Sequence, residues 1–405
     1  MKVKLHYFNP GHETAVLFGK TNYTAPDNVR KMIYDLSLLP AWYAEYNDYI
    51  LVDENIAPHF FNQFPKGSKP DIHILSQKEI IDKKTTNLPT MIATPWGISP
   101  QSLHLFEKLK ITKYLPIEVP LLKKEYSTLT SRQSAAKCLD IIREMLHNEQ
   151  IPDTPQFISS SEELYEYLNT HEPPFVLKTP YSSSGRGITW LNNKALSNQQ
   201  LIWINGAIKK QGCFSIERAY NKVTDFAMEF FSDGKENIHF EGLSTFGTNK
   251  NGAYEGNLLE SQKSMEMYFE KYLQKDYFTK IKEAVTKALE TIYGRIYNGF
   301  LGVDMIIYRD SDSDSHLLIH PCIEINMRYT IGLVALRLKE KYIHPAAKGY
   351  LYIKYENQDK QALKQHLHYN QQYPPQIKDD KIRMGYFSLC PVTEKTHYMA
   401  FIILE

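Results

Sequence analysis

The sequence has few cysteines and no arrangement of them. Cys138, Cys213, Cys322 and Cys390 are its only four, and no two form a C-x-x-C pair. Neither a disulfide framework nor a zinc knuckle is expected, only reduced thiols packed as small apolar groups. An excess of charge of either sign is also missing: 47 Lys and Arg stand against 46 Asp and Glu, a net +1 with histidines neutral. That balance gives no overall pull toward nucleic acid or anionic lipid. No apolar run approaches the ~20 residues of a membrane span. The start, Met1 to Pro10, alternates Lys and His with apolar residues and is unlike a signal peptide. Glycine and proline, 19 and 21 residues, are too few and too dispersed for a collagen-like or low-complexity chain. These absences lead to the expectation of a soluble, cytoplasmic protein that binds neither nucleic acid nor membrane.

What is present is an ordinary folded composition, 42% hydrophobic and 23% charged over 405 residues, enough for two to three structural units. Over the first ~115 residues, strand and helix signals alternate, which points to an open, mostly parallel α/β sheet. The signals are strands at Lys2 to Phe8, Tyr49 to Asp53, Asp71 to Leu75 and Thr90 to Ala93, with helices at Pro26 to Leu38 and Pro100 to Leu109. Ile111 to Lys124, with Pro116 and Pro120, reads as a connector. A helix from Thr130 to His147 follows, its Ala135, Leu139, Ile142 and Leu146 on one stripe. Strands are expected at Gln156 to Ile158, Phe175 to Lys178, Cys213 to Glu217, Asp225 to Phe231, Ile238 to Thr245, Phe300 to Tyr308 and Leu317 to Asn326. The tail adds candidates at Arg383 to Leu389 and Tyr398 to Leu404. The first unit, to about residue 120, is therefore expected to be α/β.

Several tempting motifs fail. Gly19-Lys20-Thr21 lacks the glycine of a phosphate loop five positions earlier, where Thr14 stands. Gly185-x-Gly187 has Trp190 in place of the third glycine of a dinucleotide fingerprint. His12-Glu13 has Val16 where a zinc-protease helix needs its second histidine. Asp310-x-Asp312-x-Asp314 lacks the glycine and the closing glutamate of a calcium loop.

Three other segments make sense together. Phe175 to Lys178 is a strand ending in lysine, and the loop after it, Ser182, Ser183, Ser184, Gly185, Arg186, Gly187, is small enough for backbone N–H groups to approach phosphate oxygens. Cys213 to Tyr220 is an apolar strand ending in charge at Glu217 and Arg218, able to frame an adenine. Asp304 interrupts the apolar run Val303 to Ile307, and Glu324, Asn326 and Arg328 alternate with Ile323, Ile325 and Met327. Alternate residues of a strand share a face, so a carboxylate, an amide and a guanidinium project together. Hard oxygen ligands suit Mg²⁺ held partly by substrate phosphates, and a nearby arginine grips a phosphoryl group.

In this order the segments resemble the ATP-grasp superfamily over about Glu125 to Arg337, with Asp304 and Glu324-Ile-Asn326-Met-Arg328 as the most specific part. The resemblance implies a fold class of α/β plus α+β: an α/β domain at 1–120 that helps bind substrate, two α+β subdomains at 121–205 and 206–345 that hold ATP between them, and a C-terminal extension at 346–405. It implies Asp304, Glu324 and Asn326 as Mg²⁺ ligands, and Lys178 with the Ser182 to Gly187 loop on the phosphates. Glu217, Arg218 and Ala219 would meet the adenine, Asp225 the ribose or the edge of the metal site, and Arg328, with Lys178, the transferred phosphoryl group. Where the family commonly has an early lysine on the first helix, this chain offers Arg132 or Lys137. The implied activity is ATP-dependent, ADP-forming joining of a small-molecule carboxylate to an amine through an acyl-phosphate. A kinase using the same nucleotide site and a non-catalytic nucleotide-binding protein are the alternatives. Asn9 to Glu13 and Tyr254 to Asn257 are candidate substrate contacts.

Overall fold

A computed structural model describes residues 2–54, 59–82, 87–112, 115–147, 149–182, 187–248, 254–273, 275–310 and 317–405. Strands β1 (Val3–Tyr7), β2 (Tyr49–Val52), β3 (His73–Ser76), β4 (Met91–Pro95) and β5 (Ile117–Glu118) form a sheet in the order β3-β2-β1-β4-β5. All its pairings are parallel, as the alternation of strand and helix requires. Helices begin where side chains take up unpaired N–H groups: Ser76 with Glu79, and Ser99 with Ser102, close capping boxes before Gln77–Ile81 and Pro100–Ile111. The Asn9 turn runs directly into an unforeseen helix, His12–Phe18. Gly19 ends it at φ 63°, a left-handed conformation open to glycine, which accounts for the glycine of the failed phosphate-loop motif.

Strands β6 (Gln156–Ile158), β7 (Phe175–Lys178), β8 (Ile188–Leu191) and β9 (Phe214–Arg218) form an antiparallel sheet in the order β6-β9-β7-β8. Its Leu177, Phe214 and Ile216 face a core with Leu164 and Ile204 from the helices Ser161–Thr170 and Asn198–Gln211. By pairing, β9 belongs here, beyond the boundary expected at 205/206, because its apolar face completes this core.

The third sheet is antiparallel and holds β10 (Asn221–Asp233), β11 (Ile238–Thr248), β12 (Tyr254–Leu259), β13 (Asn298–Arg309), β14 (Leu317–Asn326), β15 (Gly349–Tyr355), β16 (Gln376–Lys378), β17 (Lys381–Ser388) and β18 (Tyr398–Leu404). Their order is β14-β13-β10-β11-β12-β15-β18-β17-β16. Two-residue alternation gives the sheet an apolar side, with Phe226, Met228 and Phe230 of β10 and Val303, Met305 and Ile307 of β13. That side packs under the helices Arg132–Met145, Gln262–Tyr272 and Lys275–Tyr293. Each fully buried side chain of this kind contributes about 1.5–3 kcal/mol. The expected stripe of Ala135, Leu139 and Ile142 thus docks on the large sheet.

The tail continues the large sheet and also packs against the N-terminal unit. Trp42 lies in one core with Leu389, Ala400 and Ile402, and its Nε1 donates to the Leu389 carbonyl at 2.8 Å. Asp35 Oδ2 accepts the N–H groups of His397 and Tyr398 at 2.8 and 3.0 Å. Two elements of this region lacked clear sequence signals: the helix Ile331–Lys341, whose buried residues include Leu333, Val334 and Leu338, and the helix Gln361–Gln372.

Candidate active site

The polar side of the large sheet is built by register. Asp304 pairs directly with Glu324, Gly302 with Asn326, Ala227 with Asp304, and Glu229 with Gly302. Facing residues of β13 and β14 therefore share parity, as two acidic groups on one face demand, and the odd-numbered residues of β10 join the even-numbered ones of β13. A register shift falls where β14 has Pro321 to Ile323 opposite the single Met305 of β13, and its even excess leaves the faces unchanged.

Asn326 Nδ2 donates to Asp304 Oδ2 at 3.0 Å, and Arg328 Nη2 donates to Asn326 Oδ1 at 2.7 Å. Arg328 also gives Nη1 to the Tyr329 carbonyl at 3.1 Å and Nε to Glu13 Oε1 at 2.7 Å. Among the described residues, three of the five N–H groups of this guanidinium are thus engaged and two are left to offer. Burial, and then the Glu324 charge, push the Asp304 carboxyl up to about 8, with the Asn326 hydrogen bond acting the other way.

The smaller sheet supplies the opposite wall. Lys178 of β7 and Glu217 of β9 form a buried ion pair, and His320 Nε2 of β14 lies 3.8 Å from Glu217 Oε2. Burial, and then Lys178, lower the His320 pKa to about 3, so the ring is neutral. Arg132, at the start of a helix capped by Ser131, joins the two walls. Its Nη1 donates to the Thr179 carbonyl and to Ser182 Oγ at 2.6 and 2.7 Å, and its Nη2 to Glu324 Oε2 at 2.7 Å. Lys137, the other candidate for the early cation, is exposed. A Cβ on Gly187 would lie 2.1 Å from Thr179 Oγ1 and 2.5 Å from Ser182 Cβ, so only glycine fits this close approach. Ser183, Ser184 and Gly185 lie outside the described residues.

Other expected residues stand apart or are already engaged. Arg218 is exposed, paired with Asp310 at 3.1 Å, and the Ala219 N–H goes to the Pro174 carbonyl at 2.9 Å. That leaves Ala219 only its carbonyl for a base. Asp225 shares the face of Asp304 by alternation along β10 and accepts from Thr248 Oγ1 at 2.7 Å, with Lys222 beside it. Tyr254 and Asn257 sit in β12, where the phenol donates to Asn257 Oδ1 at 2.6 Å. Glu229 was missed, though Asp225-x-Ala227-x-Glu229 has the same-face spacing used for Glu324 and Asn326. It is buried, accepts from Thr330 and Ser244 at 2.9 and 3.2 Å, and is raised to about 7 by burial, against which those hydrogen bonds and Arg328 act.

Among the described residues, no group of three or more His, Cys, Asp or Glu side chains clusters as a metal centre. Asp304, Glu324 and Asn326 form a donor set of two carboxylates and an amide, which fits a hard cation completed by phosphate and water oxygens. No helix among the described residues is long and apolar enough to cross a membrane.

No family model and no curated sequence matches the chain. Solved structures do. Biotin carboxylase from Campylobacter jejuni, in complex with a β,γ-form of ATP, superposes with a TM-score of 0.54 at 12% identity, over 100% of this chain and 88% of that one. N5-carboxyaminoimidazole synthetase from Staphylococcus aureus, complexed with ADP, gives 0.50 at 13% identity over 100% and 94%. The biotin carboxylase domain of 2-oxoglutarate carboxylase from Hydrogenobacter thermophilus, with MgADP and bicarbonate, gives 0.50 at 12% over 100% and 87%. At these identities the shared property is architecture: a parallel N-terminal sheet, then a small and a large antiparallel sheet facing each other, which is the ATP-grasp fold.

Proposed function

We propose that this protein is an ATP- and Mg²⁺-dependent, ADP-forming ligase that joins a small-molecule carboxylate to an amine through an acyl-phosphate. One observation carries the reading: an acid-amide-guanidinium row on the large sheet lies beside Arg132, which bonds both to Glu324 of that row and to the Thr179 carbonyl just after β7 of the small sheet. Such a row is costly to bury without a charged ligand.

Asp304, Glu324 and Asn326 would hold Mg²⁺, which supplies charge neutralisation between phosphate oxygens. Lys178 and Arg132 would face those phosphates as fixed cations, and the Ser182 to Gly187 loop would close over them to keep water from the acyl-phosphate. Glu217 stands at the base end with the Ala219 carbonyl. Arg328 turns its two free N–H groups to the transferred phosphoryl group and the tetrahedral intermediate. In this division, residues 1–120 are the substrate-side unit, 121–205 and 206–345 hold the nucleotide, and 346–405 brace the first unit against the large sheet. The solved structures sharing this fold include proteins captured with ADP, MgADP or a form of ATP, which supports nucleotide use by this chain.

The test is incubation with ATP, MgCl₂, hydroxylamine and a panel of carboxylates, reading ADP and hydroxamate. Hydroxamate dependent on one carboxylate is the expected result. ADP release with the phosphoryl group retained on a hydroxyl acceptor would make the protein a kinase, and no ATP-induced rise in melting temperature would remove the nucleotide site altogether.

A further inference from the structure

The polar chain from the metal-type residues does not stop at Arg328. It crosses into the N-terminal unit, where Glu13 Oε1 takes the Arg328 Nε proton at 2.7 Å and Glu13 Oε2 lies 3.3 Å from His12 Nδ1. His12 is 2% exposed, and neither its Nδ1 nor its Nε2 makes a hydrogen bond among the described residues. The ring is seated by close packing. A Cβ on Gly97 would lie 2.3 to 2.6 Å from its Cγ, Cδ2 and Nδ1, and Asn9 fixes that glycine with hydrogen bonds to its carbonyl and N–H at 2.8 and 3.2 Å. The Tyr329 N–H donates to the Trp96 carbonyl at 2.9 Å, tying this corner to the end of β14.

Resting on the ligase reading above, we propose that His12 is the base on the acceptor side of the site, and that the acceptor is an amine that arrives as its ammonium form. The Glu13 carboxylate lies beside Nδ1 at 3.3 Å without a hydrogen bond, and its charge favours the ring proton on that nitrogen, which leaves Nε2 as a buried lone pair that calls for a donor. A carboxylate or phosphate has no donor to give, whereas an ammonium does. Backing of one ring nitrogen by a carboxylate is also how an imidazole is oriented and made a better proton acceptor. Glu13 holds Arg328 with its other oxygen, so base and anion-stabilising guanidinium are set by one carboxylate.

In the step, the ammonium gives one proton to Nε2, and the freed lone pair forms the C–N bond at the acyl carbon. The C–O bond to the phosphoryl group then breaks, and its electron pair leaves with inorganic phosphate. A second nitrogen proton goes to that phosphate, and the imidazolium releases its own proton to solvent.

The experiment compares wild type with His12→Asn, whose amide nitrogen can still face Glu13, in ATP-dependent coupling of a panel of the common amino acids as carboxylates. Ammonium chloride or methylamine is the acceptor in one arm. In the other arm the acceptor is hydroxylamine, which is uncharged at neutral pH and needs no base. Loss of amide formation by about 100-fold or more, with hydroxamate formation falling less than about tenfold, is expected. Equal losses in both arms, or none in either, would overturn the role of His12 while leaving the ligase standing. Absence of hydroxamate in the wild type would sink the ligase reading and this inference with it. An ATP-induced rise in melting temperature retained by His12→Asn establishes that the variant is folded.

Discussion

Replacing Glu229 by glutamine should stabilise the protein at alkaline pH and hardly at all in acid. The carboxyl is buried beneath the Thr330 and Ser244 hydroxyls, and a Cβ on Gly332 would come within 2.2 Å of its Oε1, so there is no room for water. Burial raises it from an ordinary 4.5 to about 7. A carboxyl raised on folding binds its proton more tightly in the native state than in the unfolded one. Its contribution is therefore fully present below pH ~4.5 and is lost as the pH climbs through about 7. At about 1.4 kcal/mol per pH unit, the loss totals about 3 kcal/mol. Glutamine carries no charge, and its Oε1 accepts from Thr330 while its Nε2 donates to a Ser244 hydroxyl that turns to accept, so it escapes the loss. With an unfolding entropy of about 2 cal/mol/K per residue, the difference corresponds to about 4 °C in melting temperature for one cooperative unit of this length. Thermal melts of both proteins at pH 5 and pH 8 supply the assay: the gap between variant and wild type should widen by about that much at pH 8. A gap of equal size at both pH values would refute the premise that Glu229 titrates inside the sheet.

Asp304→Asn replaces a carboxyl that burial and Glu324 hold protonated up to about pH 8. The ligand-free variant should therefore melt above wild type by a margin that grows as the pH climbs to about 8 and is level beyond it, while Mn²⁺ binding, followed by electron paramagnetic resonance with ATP present, disappears. Lys178→Met strands Glu217 in a buried site and should destabilise by about 3–5 kcal/mol in urea unfolding, with most of the loss recovered in the double variant Lys178→Met/Glu217→Leu. Neither protein should bind ATP as wild type does in calorimetry. Gly187→Val forces side-chain atoms into Thr179 and Ser182, and Ser182 in turn supports Arg132. A stability cost of about 1–3 kcal/mol is expected alongside at least a tenfold loss of ATP affinity; unchanged affinity would make the loop a simple turn.

The amino-acid order determined the local elements and the faces of the strands. Alternation of Glu324, Asn326 and Arg328 with Ile323, Ile325 and Met327 puts the polar set on one side because successive side chains of a strand point oppositely, and no tertiary contact is needed to know it. The parallel N-terminal sheet was legible for a similar reason, since alternating strand and helix signals leave few other ways to cover both faces. Tertiary structure decided which strand stands opposite. The Asp304 to Glu324 pairing depends on the extra residues around Pro321, and the choice of Arg132 over Lys137 depends on which side of a helix meets the cleft. Glu13 reaches Arg328 across 315 residues, a separation for which no local pattern exists. The protonation of Glu229 and Asp304 likewise has no signature in spacing, because it is set by how completely the fold removes water from each carboxyl.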